Sequence, residues 1–223
     1  MSTPFQSLFH EYGAASLGKQ VRLQELVGER NWDLDLDTGI LSFEGRFQFP
    51  IQLLGTESEQ SGTWLWAWAN RSIANPNVLA QAEQLRAYGA QYEVTEFTEA
   101  QVPLDGVNGH TLSLVAAGLC GADAYYRGPY EGGAAYMLLQ GPELRPWEEL
   151  STVAFIHLFT QFIQSFPVHH HTALTGFARQ SGWQCSGTAA CLDCVSPRRE
   201  QIHATFDELG RLTGMQSVLS HTG

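Results

Sequence analysis

Lysine is almost missing from this chain. Lys19 stands alone beside eleven arginines, and the 12 bases face 23 acids for a formal charge of −11. Phosphate contacts need clustered bases, so the balance argues against a nucleic-acid partner and against an anionic membrane surface. No apolar run approaches the roughly 20 residues of a membrane-spanning helix. Met1 to Gln20 lack the charged start and apolar block of a secretory leader, so the expected location is the cytoplasm. Cysteine is sparse, four in 223 residues, and in that compartment the expectation is reduced thiols. A Gly-rich phosphate loop, a G-x-S-x-G elbow and an H-E-x-x-H pair are all absent from the sequence, so no motif names a reaction. What is present excludes disorder: 43% of residues are hydrophobic and only 16% charged, enough for a packed core at this length.

The charge is unevenly spread. Residues 1–150 hold 19 acids and 8 bases, whereas residues 151–223 hold 4 of each. The last third also carries six of the eight histidines and three of the four cysteines. This shift divides the chain into an α+β sheet domain, 1–145, and a C-terminal helical, Cys/His-rich segment, 146–223, packed on it.

Hydrophobic periodicity supplies the elements. Thr3-Pro4-Phe5-Gln6 reads as a capped helix start, with Leu23, Leu26 and Val27 continuing the pattern past a weak Ser16-Leu17-Gly18 interruption. Alternation then takes over at Trp32–Leu36, Ile40–Phe43, Arg46–Leu54 and Thr63–Asn70, which predicts antiparallel strands in meander order. Further helices are expected after Asn75-Pro76, after Asn108, from Pro146 to Pro167, at 172–181 and at 197–209, with a hairpin around Gly128–Gly133. The fold class is therefore α+β: an antiparallel meander sheet of five to seven strands with helices packed on its aromatic face.

Four groups of residues carry potential chemistry. Trp64, Trp66 and Trp68 recur at period two, which suits either a stacking platform or a core stripe; symmetric closure of the 55–62 loop would place them beside Phe47, Phe49, Ile51 and Leu53 in the core. Asp33 to Glu44 approximates the acidic spacing of a calcium loop, but Thr38 stands where glycine is needed and the flanks are strand-like. Tyr126, Arg127 and Tyr130 surround a turn with a guanidinium and aromatic rings, a set suited to an anionic or planar ligand. Cys185, Cys191 and Cys194 with His203 supply soft donors for one structural zinc ion, with His169 to His171 as alternative fourth ligands. Unliganded thiols and a redox C-x-x-C are the competing readings of the same residues.

The strand Thr63-Trp-Leu-Trp-Ala-Trp-Ala-Asn70, following Gln52-Leu-Leu-Gly-Thr56 and taken with Trp32, Asp35, Gly39 and Phe43, resembles an uncharacterised bacterial family, a domain of unknown function. The resemblance covers about residues 1–140 and implies no activity, cofactor or catalytic residue. The functional expectation is a non-catalytic binding or interaction domain, its partner a protein, a small ligand or a second copy of itself. The alternatives are a metal-dependent enzyme using the tail cluster and a structural subunit whose tail is held by zinc.

Overall fold

The computed structural model describes residues 2–144 and 150–218. The expected helix start at Pro146, with Trp147, Glu148 and Glu149, falls outside them. The chain divides into two units: residues 1–9 with 19–145, and residues 10–18 with 146–223.

Helix α1 (Pro4–Val27) begins as its sequence dictates. Thr3 Oγ1 accepts from the Gln6 N–H at 3.2 Å while Gln6 Oε1 accepts from the Thr3 N–H at 3.0 Å, a reciprocal cap that satisfies two otherwise orphaned donors. The helix runs unbroken through Ser16-Leu17-Gly18 and stops at Gly28, whose φ of 58° favours glycine.

The first unit is built on seven antiparallel strands. β1 (Trp32–Asp35), β2 (Ile40–Phe43), β3 (Phe47–Ser58), β4 (Thr63–Trp66) and β5 (Gln101–Pro103) follow one another in meander order. β3 is 12 residues long and serves several partners. Its first residues pair β2, its last pair β4, and β7 (Gly133–Leu139) runs along 51–58 with β6 (Ala124–Tyr130) beyond it. The result is a sheet curled into a half-barrel, and the fold class is α+β. The acidic segment 33–44 is the β1–β2 hairpin: Asp35 Oδ1 accepts from the N–H groups of Asp37 and Thr38, and the Thr38 hydroxyl, with those N–H groups, holds its carboxyl below the ordinary value.

A bulge in β3 determines which side chains share a face. Leu53 pairs with Met137 and Gly55 with Tyr136, leaving Leu54 without a counterpart on β7. The extra residue flips the strand's alternation. Phe49, Ile51 and Leu53 therefore join Leu23, Val27, Leu41, Phe43, Val78, Ala82 and Met137 in one core. Trp64 and Trp66 lie on the other face, paired across from Glu57 and Gly55. There they meet Tyr136 and Phe97 of α3 (Thr95–Thr98), and Phe97 in turn meets Phe5 of α1. Both tryptophans are fully buried, so they are core, but not the core anticipated. Trp68 leaves the stripe because the chain enters a 3-10 turn at Ala67–Ala69, and its ring instead carries the Arg86 guanidinium at 4.4 Å. The remaining helices of this unit are α2 (Ala80–Tyr92) and α4 (Gly109–Leu119).

In the second unit, α5 (Thr152–Ser165) and α6 (His170–Gln180) bury an aromatic cluster in which the Phe155 ring lies 4.3 Å from Phe177 and 4.5 Å from Trp183. The tail is not helical throughout. β8 (Gln184–Gly187), β9 (Cys191–Val195), β10 (Gln201–Phe206) and β11 (Leu212–Val218) form a four-stranded antiparallel meander. The helix expected over 197–209 is strand β10, because Ile202, Ala204 and Phe206 alternate into the core. Ser196, just before the expected helix, accepts from the N–H groups of Arg198 and Glu200 in the turn before β10.

Candidate functional site

In the first unit, polar side chains from β3, α4, β6 and β7 converge beside the buried tryptophans. The β6–β7 pairing puts Arg127 opposite Tyr136, and the β3–β7 pairing brings Glu57 to the same face as both. α4 supplies His110. Asn108 caps this helix by accepting from the Thr111 N–H at 2.8 Å, and Gly109 sits so close to the Tyr136 ring that a Cβ there would overlap it. Glycine at 109 is thus what lets the helix start reach the cluster.

The contacts form one connected network. Arg127 donates from Nε and Nη2 to Glu57 Oε1 at 3.1 and 2.9 Å. Tyr136 donates its hydroxyl to Glu57 Oε2 at 2.8 Å and accepts from Arg127 Nε at 3.2 Å. His110 Nδ1 shares a 2.8 Å hydrogen bond with the Tyr125 hydroxyl. The His110 ring meets Tyr136 edge to face at 5.6 Å, and Tyr136 packs on Trp64 at 5.1 Å. Side-chain exposure is 16% for Glu57 and 32% for Arg127, so the carboxylate is shielded while the guanidinium keeps an edge in water. Burial, reinforced for Tyr136 by the Glu57 carboxylate, pushes both tyrosine hydroxyls far above their ordinary value. His110 is at the surface, yet burial of the ring against its neighbours, with a smaller contribution from Arg127, holds its imidazole below the ordinary value.

These values bear on chemistry. Both Glu57 oxygens are engaged, both tyrosines stay protonated at neutral pH, and the nitrogen of His110 that faces Tyr125 is occupied. The groups left to meet a ligand are the outer nitrogens of Arg127 and His110 Nε2. The Arg127 nitrogens can only donate, and their neighbours orient them.

Of the sequence-predicted ligand residues, Arg127 belongs to this cluster. Tyr126 points to the opposite face of the hairpin, where its ring meets Trp32 at 5.8 Å and Phe43 at 5.0 Å. Tyr130 stands at the hairpin tip, 49% exposed. Neighbours in sequence on a strand face opposite ways, so Tyr125 rather than Tyr126 accompanies Arg127. Glu57, His110 and Tyr136 carried no local signal, because two strand pairings and the packing of α4 bring them together.

The tail residues chosen as zinc ligands separate in pairs. Cys185 and Cys194 are directly opposed on β8 and β9 and form a disulfide, with Cα atoms 4.1 Å apart. Cys191 is three residues from Cys194 on the same strand, so it faces the other side of the sheet, and its thiol is free. His203 opposes Asp193 and bonds to it through Nδ1 at 2.7 Å. The strand register thus places Cys185 with Cys194, and His203 on the face of Cys191 and Asp193. Among the described residues no group of three or more His, Cys, Asp or Glu side chains is arranged to hold a metal ion. The three histidines at the start of α6 act as pins. His169 Nδ1 accepts from the Thr172 N–H at 3.3 Å, His170 Nδ1 from the Leu212 N–H at 3.0 Å, and His171 Nε2 donates to the Thr188 carbonyl at 3.0 Å.

Two consequences are measurable in the tail. Burial pushes the Cys120 thiol up to about 12, so alkylation without reductant is expected to label two thiols, Cys120 and Cys191, once the chain is unfolded in denaturant, and four after reduction. Cys185→Ser is expected to cost the second unit about 2.5 kcal/mol in denaturant melts, the chain-entropy value for so short a closed loop. Acid provides the other. Burial, with the charge of His169, holds His170 below the ordinary imidazole value, and a protonated Nδ1 could not accept from Leu212. The unfolded chain therefore takes up the proton first, and stability falls as pH drops from about 6.5 toward 5. Melting temperatures across that window are expected to decline, and less steeply in His170→Gln.

No curated protein and no solved structure matches the chain. A family model does, over residues 6–142. Its reach takes in α1, both faces of the curled sheet and every residue of the Glu57–Arg127–Tyr136 network. The chain therefore belongs to the family of unknown function DUF6882.

Proposed function

We propose that this chain is a non-catalytic binding domain whose first unit recognises a small anionic or planar acidic ligand at Arg127. The observation that carries the reading is the held guanidinium: Glu57 and Tyr136 fix Arg127 in place, and His110 flanks Tyr136 on its other side. Glu57 and both tyrosines are held in hydrogen bonds with their neighbours, and a fixed guanidinium recognises an acidic group without exchanging a proton, which favours binding over proton-transfer catalysis. A location in the cytoplasm and a zinc-held tail belong to the same proposal only as far as reduced thiols go. Zinc analysis of the protein purified under reducing conditions decides the metal, since a disulfide withdraws two of the proposed ligands.

The binding test is calorimetric titration of the full chain with inorganic phosphate and with benzoate. At least one is expected to bind saturably. Arg127→Lys, which retains the charge but loses the planar fork, is expected to weaken it about tenfold, near 1.4 kcal/mol, and His110→Asn by less. Failure of both probes to bind, or undiminished affinity in Arg127→Lys, would refute the proposal.

A further inference from the structure

The edge strands of the two sheets differ in how they discourage further pairing. A strand that ends a sheet leaves a row of N–H and C=O groups unpaired, and natural edges are blunted by shortness, charge or proline. In the first unit, β1 carries Asp33 and Asp35, β5 is three residues long and ends on Pro103, and β6 carries Arg127 and Pro129. In the second unit, β8 is four residues long and tied to β9 by the Cys185–Cys194 bridge. β11 has none of these devices. It is seven residues long, contains no charge and no proline, and pairs only with β10 among the described residues.

The pairing of β11 with β10 keeps an unbroken register from Gly214 to Val218, beyond which Thr213 has no counterpart. Within that run Gly214, Gln216, Ser217 and Val218 are exposed. Helix α5 lies beside β11 and is uncharged as well, since residues 150–178 hold no Asp, Glu, Lys or Arg. On α5, Val153 is 75% exposed, and His157 and Gln161 are exposed with it.

We infer that β11 pairs antiparallel with β11 of a second copy of this chain, joining two four-stranded sheets into one. The regular run 214–218 is centred on Gln216. Pairing about a two-fold axis there sets Gln216 opposite Gln216, Met215 opposite Ser217 and Gly214 opposite Val218, and no like charges meet. A charged peptide would find no counter-charge on β11 or α5. Charge favours a second copy in another way. The whole excess of −11 lies in residues 1–150, whereas residues 151–223 hold 4 acids and 4 bases, so two copies meet with least repulsion through the second unit. A strand pair alone falls short of the roughly 1,600 Å² of a standard interface, so the contact takes in α5 too. This surface is independent of the ligand site at Arg127.

The test is sedimentation velocity on the full chain from about 1 to 100 μM, with amide hydrogen exchange at both ends of that range. The mass is expected to rise from that of one chain to that of two. Amides in 214–218 are expected to exchange at least about tenfold more slowly at the high concentration. Gln216→Lys sets two ammonium groups opposite each other and is expected to raise the dissociation constant at least about tenfold, while the melt at low concentration stays unchanged. Gln216→Thr, uncharged and suited to a strand, is expected to keep the dimer. A monomer throughout the range, a dimer without concentration-dependent protection in β11, or a dimer undiminished in Gln216→Lys would each overturn the assignment.

Discussion

Trp66→Ala is expected to destabilise the first unit by about 4 kcal/mol, within the range for emptying a large aromatic site in a core. Trp66 is fully buried, packs on Trp64 at 5.3 Å and on Phe97 at 5.7 Å, and donates its indole N–H to the Glu96 carbonyl at 2.8 Å. The alanine variant removes the ring and also orphans that carbonyl. Trp64 allows a sharper test. It is as deeply buried, but its indole nitrogen has no hydrogen-bond partner among the described residues. Phenylalanine at 64 would lose ring volume yet relieve an unpaired buried donor, which costs about 1–3 kcal/mol. At 66 it would lose volume and a hydrogen bond together. Urea melts are therefore expected to show Trp66→Phe clearly less stable than Trp64→Phe; the reverse order would contradict the packing described.

Glu57→Ala is expected to cost about 3 kcal/mol. The carboxylate accepts three hydrogen bonds, two from Arg127 and one from Tyr136. Removing it leaves a partly shielded guanidinium without its counter-charge and a buried hydroxyl without an acceptor, and both penalties fall on the folded state. Arg127 keeps some contact with water, which holds the cost at the low end for a broken buried pair. A double-mutant cycle with Arg127→Ala separates the pair from its surroundings: the double variant should be less destabilised than the two single losses combined, by 1 kcal/mol or more. Simple additivity would mean that the two groups act independently.

The same cluster explains why a binding assignment demanded tertiary information. Arg127 was visible in the sequence as a guanidinium among tyrosines, but its partners were not. Glu57 is 70 residues away and Tyr136 nine, and neither distance has a periodic signature. Their meeting depends on β3 pairing with β7, a long-range contact across the sheet.

Much of the architecture is written locally. The reciprocal cap at Thr3 and Gln6, the alternation of β1 to β4 and the Asn108 cap all follow from short-range rules: a side chain reaching its own backbone, or apolar residues recurring at the period of one element. The acidic hairpin at 33–44 was legible for the same reason. The folded chain alone settled how those pieces combine. One unpaired residue, Leu54, reversed the facing of β3 and put Trp64 and Trp66 opposite Phe49, Ile51 and Leu53. In the tail, a helix was expected over 197–209, yet Ile202, Ala204 and Phe206 had a sheet to bury against, and burial outweighed the local signal. Cysteine spacing revealed three nearby thiols but not which two would face each other. That depends on the register of β8 against β9, fixed by the buried face of each strand and only secondarily by the cysteines themselves.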